Sequence, residues 1–326
     1  MRFRTLLLPI GVLLHAVAFA QEAPKCDEIG FQKPERYTPL IAVDRLEGLA
    51  AITIPEPPYP LAKVRNVCIV LFEVRDRKRV SVGVSGEAGR FVLSDPKPGA
   101  YVLIASTPKL KALVVPIRVP NAKSAPGHQR GLLLNLRMLE DSHMSSVSVI
   151  ANGGLRHELL EMARVDQAVR NELIRKGAPQ PDPEVERRMA ALDLRNTQGV
   201  LAIVDQYGWP KPQLVGPDGV EAVLRIVQHA AYEAQKKLFP LIEQAYRAGN
   251  VTGDAYALLL DRILVREGKP QMYGTQAKPI DQWIGGEAAA YPIDDEAHVD
   301  ARRAQVGLPP LAVYLSQMKG LYFPKK

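Results

Sequence analysis

The sequence lacks every short motif that would name a reaction. It has no serine elbow, no glycine-rich phosphate loop and no dinucleotide fingerprint. Histidine is scarce, six in 326 residues. The C-terminal half holds only His157, His229 and His298, and none stands at His-x-x-x-His or similar spacing, so no metal and no cofactor is expected. Past the first twenty residues no apolar run reaches the roughly 18 residues of a spanning helix. Basic residues are spread without a long run and with few aromatics among them, which argues against nucleic acid. Cysteine is limited to Cys26 and Cys68, without CxxC spacing and with no histidine nearby in sequence, so neither looks like a nucleophile.

What is present begins with an export signature. Met1, Arg2, Phe3 and Arg4 make a basic start, 6–18 is mostly apolar, and Ala18-Phe19-Ala20 is a small-x-small cleavage site. That pattern predicts a signal peptide over 1–20, a mature chain from Gln21 and a periplasmic or secreted location. Ala23-Pro24-Lys25 before Cys26 does not fit a lipobox. Taking Arg2 and Arg4 from the 42 basic residues leaves 40 against 35 acidic, a net +5. In an oxidising compartment the two cysteines are expected to form a Cys26–Cys68 disulfide, the alternative being one exposed and one buried thiol.

Length and composition, 47% hydrophobic and 24% charged, fit a globular chain of two domains. The periodicity changes between them. From about 64 to 137 the chain reads as strands: an apolar run at 67–74, alternation at Val80, Val82 and Val84, and turns at Gly86, Gly89 and Pro98-Gly99. From 155 it reads as helices. The expected architecture is a small antiparallel β-sandwich followed by an all-α domain. Its boundaries are an N-terminal extension over 21–63, the sandwich over 64–140, a linker over 141–154 and the helical domain over 155–326. Helices are expected over 155–175 and 184–194, with a third capped by Asn196 or Thr197 and stopped at Gly208-Trp209-Pro210. A stretch over 220–248 should kink at Pro240, and a last strong helix capped by Thr252 should end at Gly268.

Two resemblances follow from the residues. Gly86-Glu87-Ala88-Gly89-Arg90-Phe91, then Pro98-Gly99-Ala100-Tyr101, resembles carboxypeptidase regulatory-like domains. This implies a sandwich plugged by Phe91 and Tyr101 and carries over no catalysis. The helical half carries, in order, Asp166-Gln167 with Arg170, Asp193 with Asn196-Thr197, Gly208-Trp209-Pro210 and Gln228-His229-Ala230. Asp261-Arg262, Gln271-x-Tyr273-Gly274-Thr275-Gln276 and Asp300-x-Arg302-Arg303 come after. The set resembles a bacterial domain of unknown function marked by GWP, QHA, DR and QxYGTQ segments, and implies recurring polar positions without an activity.

The candidate site gathers from this half. Asp261 and Arg262 lie in a helix apolar nearly all round, so both are expected to be buried and paired, as a structural ion pair, as a cap on the 271–276 loop, or as the floor of a site. His229 lies off the apolar stripe of its helix, on a solvated face or lining a cleft as a general base. Gln271, Tyr273, Thr275 and Gln276 offer donors and acceptors to a ligand, or form a self-satisfied turn. Gln228, Asp166 and Arg170 join as ligand-contact candidates. The leading expectation is a binding or adaptor module for a polar ligand or cell-envelope component. The alternative is a hydrolase in which His229 handles protons, Asp261 orients or pairs, and Arg262 holds a polar or anionic substrate.

Overall fold

The computed structural model describes residues 25–35, 38–53, 61–94, 96–108, 110–121, 129–139, 141, 145–175, 182–283 and 285–322. The expected leader over 1–20 lies outside them. Among the described residues ten strands precede seven helices: β1 (Ile41–Ala42), β2 (Glu47–Thr53), β3 (Leu61–Lys63), β4 (Cys68–Glu73), β5 (Arg79–Val84), β6 (Arg90–Val92), β7 (Gly99–Ser106), β8 (Leu113–Val119), β9 (Gly131–Leu136) and β10 (Ser146–Ile150). The first sheet runs β1-β8-β7-β4-β5, the second β10-β9-β2-β3 with β6 also on β2. Ile69, Leu71 and Leu103 of one sheet pack with Ala50, Leu132 and Leu134 of the other in a single core.

Sheet structure extends on both sides of the 64–140 segment, since β1–β3 fall within 41–63 and β10 within 146–150. The β2 pattern hides from a period-2 reading because the strand is internal to its sheet and buried from Glu47 to Ile52, so nothing alternates. Two pairings are parallel, β1 with β8 and β2 with β9, and the sandwich is mostly rather than wholly antiparallel. β2 and β9 approach so closely at Gly48 that an added Cβ would lie 1.8 Å from the Leu132 carbonyl oxygen. The alternation in β5 also faces the other way from a core strand. Val80, Val82 and Val84 are exposed, while the other face is closed by Leu93, whose Cδ2 would lie 2.7 Å from a Cβ on Gly83.

Cys26 and Cys68 form a disulfide with Cα atoms 5.4 Å apart. It pins the segment ahead of β1 to β4, where Phe31 meets Phe72 edge-on at 5.9 Å between ring centres. That cover explains why β4 is buried on both faces. By loop-closure entropy the 42-residue separation contributes about 4 kcal/mol. Phe91 and Tyr101 are buried as expected, and the Tyr101 hydroxyl donates to the Lys97 carbonyl at 2.6 Å.

The helices are α1 (Gly153–Arg175), α2 (Pro183–Tyr207), α3 (Pro212–His229), α4 (Tyr232–Arg247), α5 (Gly253–Arg266), α6 (Val299–Gln305) and α7 (Leu311–Tyr322). None of those described is long and apolar enough to cross a membrane. α2 is one helix, capped by Asp182 accepting from the Glu184 amide at 2.9 Å, rather than two with a cap at Asn196 or Thr197. The Thr197 hydroxyl instead donates back to the Asp193 carbonyl at 2.6 Å, a bond that lets it sit within a helix. The break expected at Pro240 falls at Ala230-Ala231, and α4 continues through Pro240, which faces solvent. Gln235 bridges the break by donating to the Val227 and Gln228 carbonyls at 3.1 and 2.9 Å. Those are C-terminal carbonyls of α3, and that of Val227 also accepts the Ala230 amide at 3.1 Å.

The chain divides into two compact units, and the division falls inside α1 and α3. Among the described residues, one comprises 25–162 with Pro210–Ala222, the other Ala163–Trp209 with 223–322. In the first, Asp218 accepts from Arg156 at 3.0 and 2.8 Å and from Arg90 at 3.2 Å, while Lys63 pairs with Glu221.

Candidate functional site

The polar residues of the second unit separate into two groups. The first forms where α1, α2 and the end of α3 meet. Asp166 and Arg170 stand one turn apart on α1, and Arg170 Nη1 donates to Asp166 Oδ1 at 2.7 Å. Its Nη2 reaches Asp193 of α2 at 2.6 Å, so one guanidinium bridges two carboxylates. The remaining oxygen, Asp166 Oδ2, accepts from Gln167 Nε2 at 2.9 Å and lies 2.9 Å from His229 Nδ1.

His229 is the last residue of α3. Its side chain is 5% exposed, so the solvated face is not where it lies. The break at Ala230-Ala231 turns the chain immediately beyond it. The Nδ1–Oδ2 separation is short, but neither ring nitrogen has a well-directed hydrogen bond among the described residues. The distance makes this a close electrostatic contact between the imidazole and the carboxylate. Nε2 has no protein partner among the described residues.

The electrostatics follow from burial and these contacts. Burial pushes the Asp166 carboxyl up, but His229, Arg170 and Gln167 together hold it below its ordinary value. Burial lifts Asp193 above its usual range despite Arg170. Burial lowers His229, Asp166 opposes that, and the positive charges of Arg170 and Arg262 add to the lowering. The imidazole is therefore neutral at neutral pH, with Asp166 ionised beside it.

The second group is the 271–276 loop with α5. Asp261 does not pair with Arg262. Its Oδ1 accepts the Met272 and Tyr273 amides at 2.8 and 3.1 Å, and its Oδ2 accepts the Thr275 amide and hydroxyl at 2.9 and 3.0 Å. Of the three roles open to it, the geometry is that of a cap on the loop. Burial raises this carboxyl against the pull of those donors. Gln271 and Gln276 close the loop on itself, with Gln271 Oε1 accepting from the Gln276 amide at 2.7 Å and Gln271 Nε2 donating to the Gln276 carbonyl at 3.1 Å. Gly274 takes φ +66°, and a Cβ there would lie 2.6 Å from Ile293 Cδ1, so a side chain at this turn would be strained. Tyr273 contributes its backbone, with its carbonyl accepting from buried Arg303 at 2.6 Å. Tyr314 of α7 donates to the Thr275 carbonyl at 2.6 Å.

Arg262 links the two groups. Its Nε donates to Gln276 Oε1 at 3.3 Å, and its Nη1 donates to the Gln228 carbonyl at the end of α3. Gln228 thus takes part through its backbone. Arg262 is 5% exposed, and no carboxylate among the described residues pairs with it. Burial, then Arg266 and Arg170, bring its pKa down to about 10.

The structure therefore gathers Asp166, Arg170, His229 and Arg262, and sets Asp261, Gln271, Thr275 and Gln276 behind Arg262 as its support. Asp193 and Arg303 belong to these networks although sequence patterning marked them only as recurring polar positions. Tyr314 had no signal, being one aromatic in a terminal helix. Among the described residues no group of three or more His, Cys, Asp or Glu side chains is arranged to hold a metal ion.

No curated protein and no solved structure matches this chain. The description "Family of unknown function (DUF6624)" matches residues 153–325, from the first residue of α1 to beyond α7. More than half of the chain lies within that match, and the protein belongs to the DUF6624 family.

Proposed function

We propose that the helical unit is a binding module whose site is centred on His229, in an exported protein whose sandwich is a carboxypeptidase regulatory-like accessory module. The observation that carries this reading is the buried Asp166–His229 contact, with Nε2 left without a protein partner. A neutral imidazole held at Nδ1 by a carboxylate keeps a lone pair on Nε2 for an incoming group. Asp261 and the 271–276 loop act as supports in this reading, positioning Arg262 rather than touching the ligand.

The same dyad favours a second reading, hydrolysis. A carboxylate-oriented histidine is the general-base half of a hydrolytic site. No serine, threonine or cysteine pairs with His229 among the described residues, so water would be the nucleophile. In either reading His229 and Asp166 are required for activity. His229→Gln and Asp166→Asn in the full chain should still be exported and disulfide-bonded, yet fail to complement a strain lacking the protein. Full complementation by both folded variants would remove the site.

A further inference from the structure

Resting on that reading of His229, we propose that the ligand carries a carboxylate, taken by the Nη2 side of Arg262 next to the His229 ring. Arg262 is a buried cation with no anionic partner among the described residues. Its Nε and Nη1 are used by Gln276 and Gln228, while Nη2, with two N–H groups, has no partner among the described residues. The C-terminal carbonyls of α3 supply about half a negative charge at that end, so the guanidinium is offset only in part. A buried guanidinium presenting free donors is suited to a planar oxyanion, and arginine meets carboxylates and phosphates through paired N–H groups.

Charge selects between those two. Asp166 and Asp193 share the single charge of Arg170, which leaves that trio one charge negative. Arg262 adds one positive charge, and His229 is neutral. A monoanion on Arg262 cancels its charge directly. A phosphate dianion would add a surplus negative charge near Asp166 and Asp193, which share one guanidinium, at a site where burial strengthens the repulsion. The amide carbonyl of Gln276 fixes the guanidinium from one side, and the Asp261-capped loop holds Gln276, so the fork is set before a ligand arrives.

His229 reports the binding. The positive charge of Arg262 helps hold the imidazole below its ordinary pKa, so an anion on Arg262 relieves that field and raises the midpoint of His229. The test is an NMR titration of the His229 ring in the purified full chain, in sodium chloride, sodium acetate and sodium sulfate at matched ionic strength, sulfate being a tetrahedral oxyanion that stays doubly charged through the titration. The expected result is an upward shift of the His229 midpoint that saturates with acetate and is absent in chloride. In Arg262→Gln the midpoint should already be raised and acetate should have no further effect. Should Arg262→Gln fail to fold, Arg262→Lys retains the charge without the fork and should weaken the acetate response. No acetate response in the unsubstituted chain, or an equal response in Arg262→Lys, overturns the assignment. A sulfate response saturating at lower concentration than acetate overturns the carboxylate class. A His229 that titrates at its ordinary value in chloride would instead contradict the buried dyad itself, and with it the binding reading beneath this one.

Discussion

A histidine with both ring nitrogens buried must settle its proton within the protein, and that makes stability depend on pH. In the unfolded chain the imidazole takes up a proton near pH 6.5. In the folded chain burial and the charges of Arg170 and Arg262 delay that uptake to lower pH, although Asp166 works against them. The unfolded state thus binds more protons in the window just below pH 6.5, and acid shifts the equilibrium toward it. Melting temperature should fall as pH is lowered from 7 toward 5, and His229→Gln should flatten that slope. An unchanged slope would mean that the ring titrates alike folded and unfolded. His229 was half legible in the sequence. Its position off the apolar stripe marked it as polar-facing, but a helical wheel cannot tell a solvated face from one covered by α1. What distinguishes them is Asp166, some 60 residues away, and no periodicity reports that pairing.

At the scale of elements, the unit of interest is α5 with the loop it caps. One carboxylate, Asp261, receives three backbone amides and a hydroxyl, so the loop conformation depends on it. Asp261→Ala should leave those buried donors unpaired and cost roughly 3 kcal/mol or more. Asp261→Asn, which keeps the shape and one acceptor oxygen, should cost less. Chemical denaturation of both variants measures the difference, and equal losses would mean that the loop is held by Arg303 and Tyr314 instead. The compact set of polar residues at 271–276 made this loop conspicuous in the sequence, with a self-satisfied turn as one of its two expected forms. Helix limits were less legible. Pro240 reads as a break by local rules, yet α4 accommodates it on a solvent-facing side, while two alanines with no breaking tendency end α3. At that break the α3 carbonyls accept from Gln235 and from Arg262, and Arg262 lies 34 residues away, outside any local window.

At the scale of the molecule, the boundary between sandwich and helices is not a point in the chain. Segments of α1 and α3 belong with the strands, joined through Asp218, Arg156, Arg90, Lys63 and Glu221. A fragment beginning near Ser148 keeps the Arg156–Asp218 pair but loses Arg90, Lys63 and the strands beside them. It should remain helical by circular dichroism and melt below the intact chain. Identical melting would show that the helical half is self-sufficient. The change of periodicity near residue 150 was plain in the sequence, and the disulfide was legible because only one pairing of two cysteines exists. The interleaving of the units was not, since it depends on charged contacts more than 60 residues apart. The central claim concerns the intact chain: His229 is a neutral base, held at Nδ1 by Asp166 with Nε2 bare. Nitrogen-15 NMR of the His229 ring at pH 7 tests it most directly. The account predicts a neutral ring protonated on Nδ1; a proton on Nε2, alone or together with one on Nδ1, would contradict it.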